Sequence, residues 1–256
     1  MMMKRPILAL IFGIILLAGV GFYIYNDQKG SPSSQTSTST NPLGIETSGN
    51  AIVNVEEIPQ EPTKPNLDRP YTPPSNLPES ARAQSQTKYA ALVAKLKADP
   101  DLFKEWLELA LYYDAADDFA GAEAVWIYVS QKWSTDPTAY SNLGNLYRYN
   151  IKNIVKAEQY LKAAITVDPK MAVSYGDLAN FYEFDKKSIA AAKQVYLDGL
   201  KAIPGSYELM IPLAQLYKKD GDNVNAKKYL ELAATAARAA GKADLAAQLE
   251  ADAQTL

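Results

Sequence analysis

The feature that most constrains this chain is its resemblance to itself. From about residue 100 onward, Trp106, Tyr140, Tyr175 and Met210 recur at spacings of 34, 35 and 35 residues. Three residues after each stands a leucine: Leu109, Leu143, Leu178 and Leu213. A small residue follows at once, as Ala110, Gly144, Ala179 and Ala214, and a tyrosine three further on, as Tyr113, Tyr147, Tyr182 and Tyr217. Large apolar residues at intervals of three and four occupy one face of a helix. The small residue lets a neighbouring helix come close. After a short polar turn a second helical pattern begins, with Ala122, Ala157, Ala192 and Ala226. Trp126, Leu161, Tyr196 and Leu230 follow four residues later. Pro137, Pro169 and Pro204 close the second helices, because proline cannot continue the i to i−4 ladder.

The expected fold is therefore all-α, a stack of four helix-turn-helix units, each unable to bury its apolar face alone. Repeats two and three carry one extra residue in the turn between their helices. Pro212 falls inside a first helix and implies a kink or a late start. Tyr89, Leu92 and Leu96 read as a lone second helix covering the first repeat. Ala243 to Thr255 read as a short amphipathic helix covering the last. Polar-faced terminal helices are what such a stack needs to stay soluble.

This pattern resembles the tetratricopeptide repeat family over nearly everything after residue 85, most closely in the second helix Ala157-Glu158-Gln159-Tyr160-Leu161-Lys162-Ala163-Ala164 and its Asp168-Pro169 exit. The resemblance implies a helical solenoid whose first helices line a concave surface that takes a protein or an extended peptide. Two residues after each leucine stand Leu111, Asn145, Asn180 and Gln215; just after each tyrosine stand Asp114, Arg148, Glu183 and Lys218. The expected groove is centred on Asn145, Asn180 and Gln215, flanked by Arg148, Glu183 and Lys218, with Tyr149 and Phe184 beside them. Carboxamides both donate to and accept from a peptide backbone. The family's clamp for a C-terminal carboxylate has basic residues where this chain has Leu107, Ser141, Gly176 and Ile211, so that ligand class is not expected.

The N-terminal part is of another kind. Residues 1–5 end in Lys4 and Arg5, and the uncharged run 6–25 follows. Twenty helical residues reach about 30 Å, the thickness of a bilayer's hydrocarbon core. The basic pair favours a cytoplasmic N-terminus, which puts the rest of the chain outside the cytoplasmic membrane. The alternative is a cleaved signal peptide, since Ala18, Gly19, Val20 and Gly21 suit a peptidase. Residues 26–84 read as a disordered Ser/Thr/Pro-rich linker, holding nine of the 15 prolines. Within it, Ala51 to Ile58 has strand character, either a linear docking motif or a slightly apolar stretch of linker. Residues 85–256 are the repeat domain.

Composition removes most chemistry. The chain has 0 His and 0 Cys, which excludes imidazole general bases, thiol nucleophiles, disulfides and zinc–thiolate sites. The net charge of −3 comes from intermingled charges with no basic face for phosphates, so nucleic acid is not an expected partner. The run Asp220-Gly221-Asp222-Asn223-Val224-Asn225 echoes a calcium loop but lacks a ligand at Val224 and the glycine at Asn225. Asp117 and Asp118 lie in an inter-helix turn, unsuited to an acid–base pair. No catalytic residue, metal or cofactor is expected. The implied function is a non-catalytic, membrane-tethered adaptor, similar to bacterial repeat proteins of secretion, pilus or envelope assembly and cytochrome maturation. The alternative is a self-associating structural protein that uses its convex face or capping helices to form homo-oligomers.

Overall fold

The computed structural model describes residues 62–256. The expectations for residues 6–25 and for the linker before residue 62 lie outside the described residues. Among the described residues ten α-helices follow one another: α1 (Glu79–Ala98), α2 (Phe103–Ala115), α3 (Phe119–Lys132), α4 (Thr138–Asn145), α5 (Ile154–Val167), α6 (Ala172–Phe184), α7 (Ile189–Ala202), α8 (Tyr207–Lys219), α9 (Asn223–Ala239) and α10 (Ala243–Gln254). The pairs α2/α3, α4/α5, α6/α7 and α8/α9 are the four repeats, and α1 and α10 cover the two ends. The repeated residues form the core. Trp106, Leu109, Leu143, Leu161 and Leu213 are wholly buried, and Tyr113, Tyr147 and Tyr175 nearly so.

Local chemistry sets each turn. All four second helices begin on a side-chain cap, which satisfies a backbone N–H that the first turn of a helix leaves open. Asp118 accepts from Gly121 N, Asn153 from Lys156 N, Ser188 from Ala191 N and Asp222 from Asn225 N. The residue before each cap is left-handed: Asp117 at φ 58°, Lys152 at 63°, Lys187 at 55° and Gly221 at 80°. In repeats one and four the cap N–H reaches back five residues, from Asp118 to Tyr113 O and from Asp222 to Tyr217 O, both at 2.9 Å. In repeats two and three it reaches back six, from Asn153 to Tyr147 O at 2.8 Å and from Ser188 to Tyr182 O at 2.9 Å. The extra residue is taken up by wider winding at the end of the first helix. Ile151 N–H bonds Leu146 O, and Lys186 N–H bonds Phe181 O. In repeat two this makes a π-helical turn over Leu146–Asn150.

The small position works as expected. A Cβ on Gly144 would stand 2.6 Å from Leu161 Cγ and 3.2 Å from Leu161 N, so α4 and α5 meet with no room for a methyl group. Pro212 is not placed by a late helix start: α8 begins at Tyr207, and the proline falls in its second turn.

One expectation is corrected. The linker does not run to residue 84, because residues 62–78 lie as a strap on the first repeat and α1 begins at Glu79. Leu67 and Tyr71 are buried in the core. The Tyr71 ring stacks on Tyr89 at 4.4 Å and meets Tyr112 edge-on at 5.3 Å. The Arg69 guanidinium grips the Asp118 carboxylate through two hydrogen bonds, and Tyr89 Oη donates to Arg69 O at 2.9 Å. Two apolar anchors and an ion pair hold a segment whose composition is otherwise that of a linker.

Candidate functional site

The helices that line the inner side follow from which ones touch. The first helices of successive repeats approach one another, α4 against α6 and α6 against α8, with no comparable approach between successive second helices. A stack that is tighter along its first helices curves toward them, so they form the inward face. On that face residues three and four apart stand above one another.

Asn180 and Gln215 are exposed and Asn145 half-buried, one on each of α6, α8 and α4. Leu111, the corresponding residue of α2, is half-buried. Tyr149 and Phe184 are 54% and 51% exposed, an unusual state for large aromatic side chains. Arg148 lies over the Tyr149 ring at 4.5 Å and Lys219 over the Phe184 ring at 5.6 Å.

The flanking charges behave differently from expectation. Arg148 is 3% exposed; its Nε donates to Asp185 Oδ2 at 2.5 Å and its Nη2 to Asn180 O at 2.9 Å. Asp114 accepts from Asn150 Nδ2 at 2.7 Å, and Glu183 pairs with Lys219 at 2.8 Å. Each tie crosses from one repeat to the next, the side-chain partners lying 36 or 37 residues apart. Arg148 and Glu183 thus hold repeats together rather than flank an open groove, while Lys218 is exposed at the far end.

A second ladder runs behind the face. The repeated tyrosine meets the residue 24 positions earlier, on the helix of the preceding unit. Tyr113 Oη bonds Tyr89 Oη at 3.0 Å, Tyr147 Oη donates to Glu123, and Tyr182 Oη donates to Glu158 at 2.8 Å. In the last repeat Lys193 Nζ lies 4.7 Å over the Tyr217 ring. Burial raises the Glu158 carboxyl, but hydrogen bonds from Lys162, Tyr182 and Lys186 outweigh it and hold the group below the usual carboxylate range.

The residue that sequence reasoning missed is Asp177. It stands three residues before Asn180 on α6, beside Asn145 of α4. Burial pushes its carboxyl up to about 6, against the opposing pull of the Asn145 hydrogen bond and the Arg148 charge. The same position holds Glu108, Asn142 and Pro212 in the other repeats, so no recurring residue type marked it. Its one sequence signal was helical register with Asn180.

The remaining chemical signals resolve into turn structure. Asp222 caps α9 and Asp220 pairs with Lys193 at 2.6 Å. Asp117 is the left-handed turn residue, and Asp118 caps α3 and holds Arg69.

Residues 137–171 match the family model described as tetratricopeptide repeat. No curated protein matches the chain. Among solved structures it is similar to MamA, at 21% identity over 64% of this chain and 95% of that one, with a TM-score of 0.48. It is also similar to PilF of Pseudomonas aeruginosa, at 19% identity over 66% and 83%, with a TM-score of 0.47. A third, YrrB, is a tetratricopeptide-repeat protein with an unusual peptide-binding site; it is 13% identical over 69% of this chain and 87% of that one, with a TM-score of 0.44. The matched segment spans α4 and α5, and the pairs before and after it share its register, caps and buried positions, so the chain is a helical solenoid of the tetratricopeptide-repeat type.

Proposed function

We propose that the chain is a non-catalytic adaptor, tethered to the cytoplasmic membrane by residues 6–25, that holds an extended segment of a protein partner against its inward face outside that membrane. The observation that carries this reading is the pair Asn180 and Gln215. Both side chains are exposed, one repeat apart on adjoining helices, and among the described residues neither makes a side-chain hydrogen bond. Helices in contact lie about 8–10 Å apart, and an extended chain advances about 3.3 Å per residue. Successive carboxamides therefore meet a bound peptide about every third residue.

Site-specific photocrosslinking in native membranes tests the reading. A crosslinker at position 180 should give a discrete partner adduct, and one at Gln159, exposed on α5, should not. Asn145→Ala with Gln215→Ala should remove the adduct while the helical circular dichroism persists. Equal adducts from both positions would overturn it. Alkaline extraction of the membranes tests the tether, with a freely released protein as the contrary result.

A further inference from the structure

The inward face carries a half-buried carboxylate that the fold itself leaves without an ion pair among the described residues. Its buried cation, Arg148, is spent on Asp185, and Lys219 is spent on Glu183. Asp177, on α6 beside Asn145 of α4, is half-buried and forms no ion pair among the described residues; Tyr149 and Tyr196 also lie near it, and the nearby Arg148 guanidinium is bonded to Asp185 and to Asn180 O. Asp114 of α2 likewise forms no ion pair among the described residues, accepting a hydrogen bond from Asn150 instead. One turn before Asn145, on the same face of α4, Ser141 is 7% exposed and its hydroxyl has no hydrogen-bond partner. A half-buried carboxylate without a cation is costly unless a ligand supplies one, and the Ser141 hydroxyl one turn along α4 is a second unmatched polar group.

We propose that the groove between α4 and α6 receives a lysine or arginine side chain of the bound peptide, its cationic head on the Asp177 carboxylate and the Asn145 carboxamide oxygen. Asn145 is suited to this, since a carboxamide beside a carboxylate can donate to it and leave its own oxygen to accept from the ligand. The exposed Tyr149 ring gives the apolar stem of the side chain a surface to lie on. The partner is therefore an extended peptide with at least one basic residue, and acidic tails are disfavoured. The proposal rests on the inward face being the peptide groove.

Fluorescence anisotropy of the full chain in detergent tests it, with three labelled dodecapeptides: alternating alanine–lysine, alanine–serine and alanine–glutamate. The lysine peptide should bind at least about tenfold more tightly than the serine peptide. Asp177→Asn, close to isosteric, should reduce its affinity to that of the serine peptide. Asp244→Asn on α10, exposed and remote from the groove, should leave it unchanged. Asn180→Ala should weaken all three peptides alike. Loss on Asn180→Ala without loss on Asp177→Asn overturns the cation site and leaves the groove standing. Indifference of every peptide to Asn180→Ala, or no binding at all, overturns the groove and this inference with it.

Discussion

Asp177→Asn should make the protein more stable at neutral pH. The carboxyl has its ordinary value of 3.8 when the chain is unfolded and about 6 when folded, with burial as the main cause. A folded value above the unfolded one means that the native state binds the proton more tightly. Stability is then highest below the unfolded value, falls as pH rises between the two, and stays reduced above the folded value. Each tenfold gain in proton affinity corresponds to about 1.4 kcal/mol, so the ionised carboxylate costs the fold up to about 3 kcal/mol. Partial solvation lowers this to about 1–2 kcal/mol. The charged and titratable groups around it are Arg148 and Tyr149 in the π-helical turn after α4, and Tyr196 on α7. None of the tyrosines titrates in the acid range, so asparagine isolates the one carboxyl. Urea unfolding followed by circular dichroism should show the variant and the parent nearly equal near pH 4 and the variant ahead above about pH 6. A difference independent of pH, or a variant less stable than the parent at neutral pH, would refute the argument. A residue that weakens the fold while standing in its groove also suits the ligand role argued above.

Three further outcomes are expected. Gly144→Ala should destabilise by about 1–2 kcal/mol in the same unfolding assay, because its Cβ would meet Leu161 at 2.6 Å, with the helix propensity gained offsetting only part of that strain. Glu158→Gln should cost about 1 kcal/mol at neutral pH by loosening Lys162, Tyr182 and Lys186. That carboxyl lies below its ordinary value, so its stabilisation is present above the unfolded value and is lost as pH falls through the folded one; the two proteins should converge in acid. Arg69→Ala should leave Asp118 without its guanidinium and free the strap, which limited proteolysis would report as faster cleavage within residues 62–78.

Much of the fold was legible because repetition amplifies a weak signal. The spacing of Trp106, Tyr140, Tyr175 and Met210 placed every first helix, and the small residue after each leucine marked the close packing now seen at Gly144. The strap was not legible: Leu67 and Tyr71 are two apolar residues among prolines and polar groups, with no period to join them to a helix. Of the candidate site, the carboxamides Asn145, Asn180 and Gln215 were readable by register alone. The partners of Arg148 and Glu183 were not, because Asp185 stands in the inter-helix turn of repeat three and Lys219 at the very end of α8, outside the recurring positions. Side-chain pairing across a turn depends on how the extra residue is wound, and a sequence does not display that.

The tyrosine ladder gives the stack a direction. Each rung joins a buried hydroxyl or ring to a residue supplied by the unit on its N-terminal side. Trimming the chain from its C-terminus would remove tyrosines and leave behind Lys193 or Glu158, which water can solvate. Trimming from the N-terminus would instead remove the Tyr89 partner of the buried Tyr113 hydroxyl, and would leave Tyr147 with Lys156 but without Glu123. Fragments that begin at the strap should therefore survive shortening better than fragments of equal length that end at Leu256, and synthesis in N-to-C order would complete each rung as its tyrosine arrives.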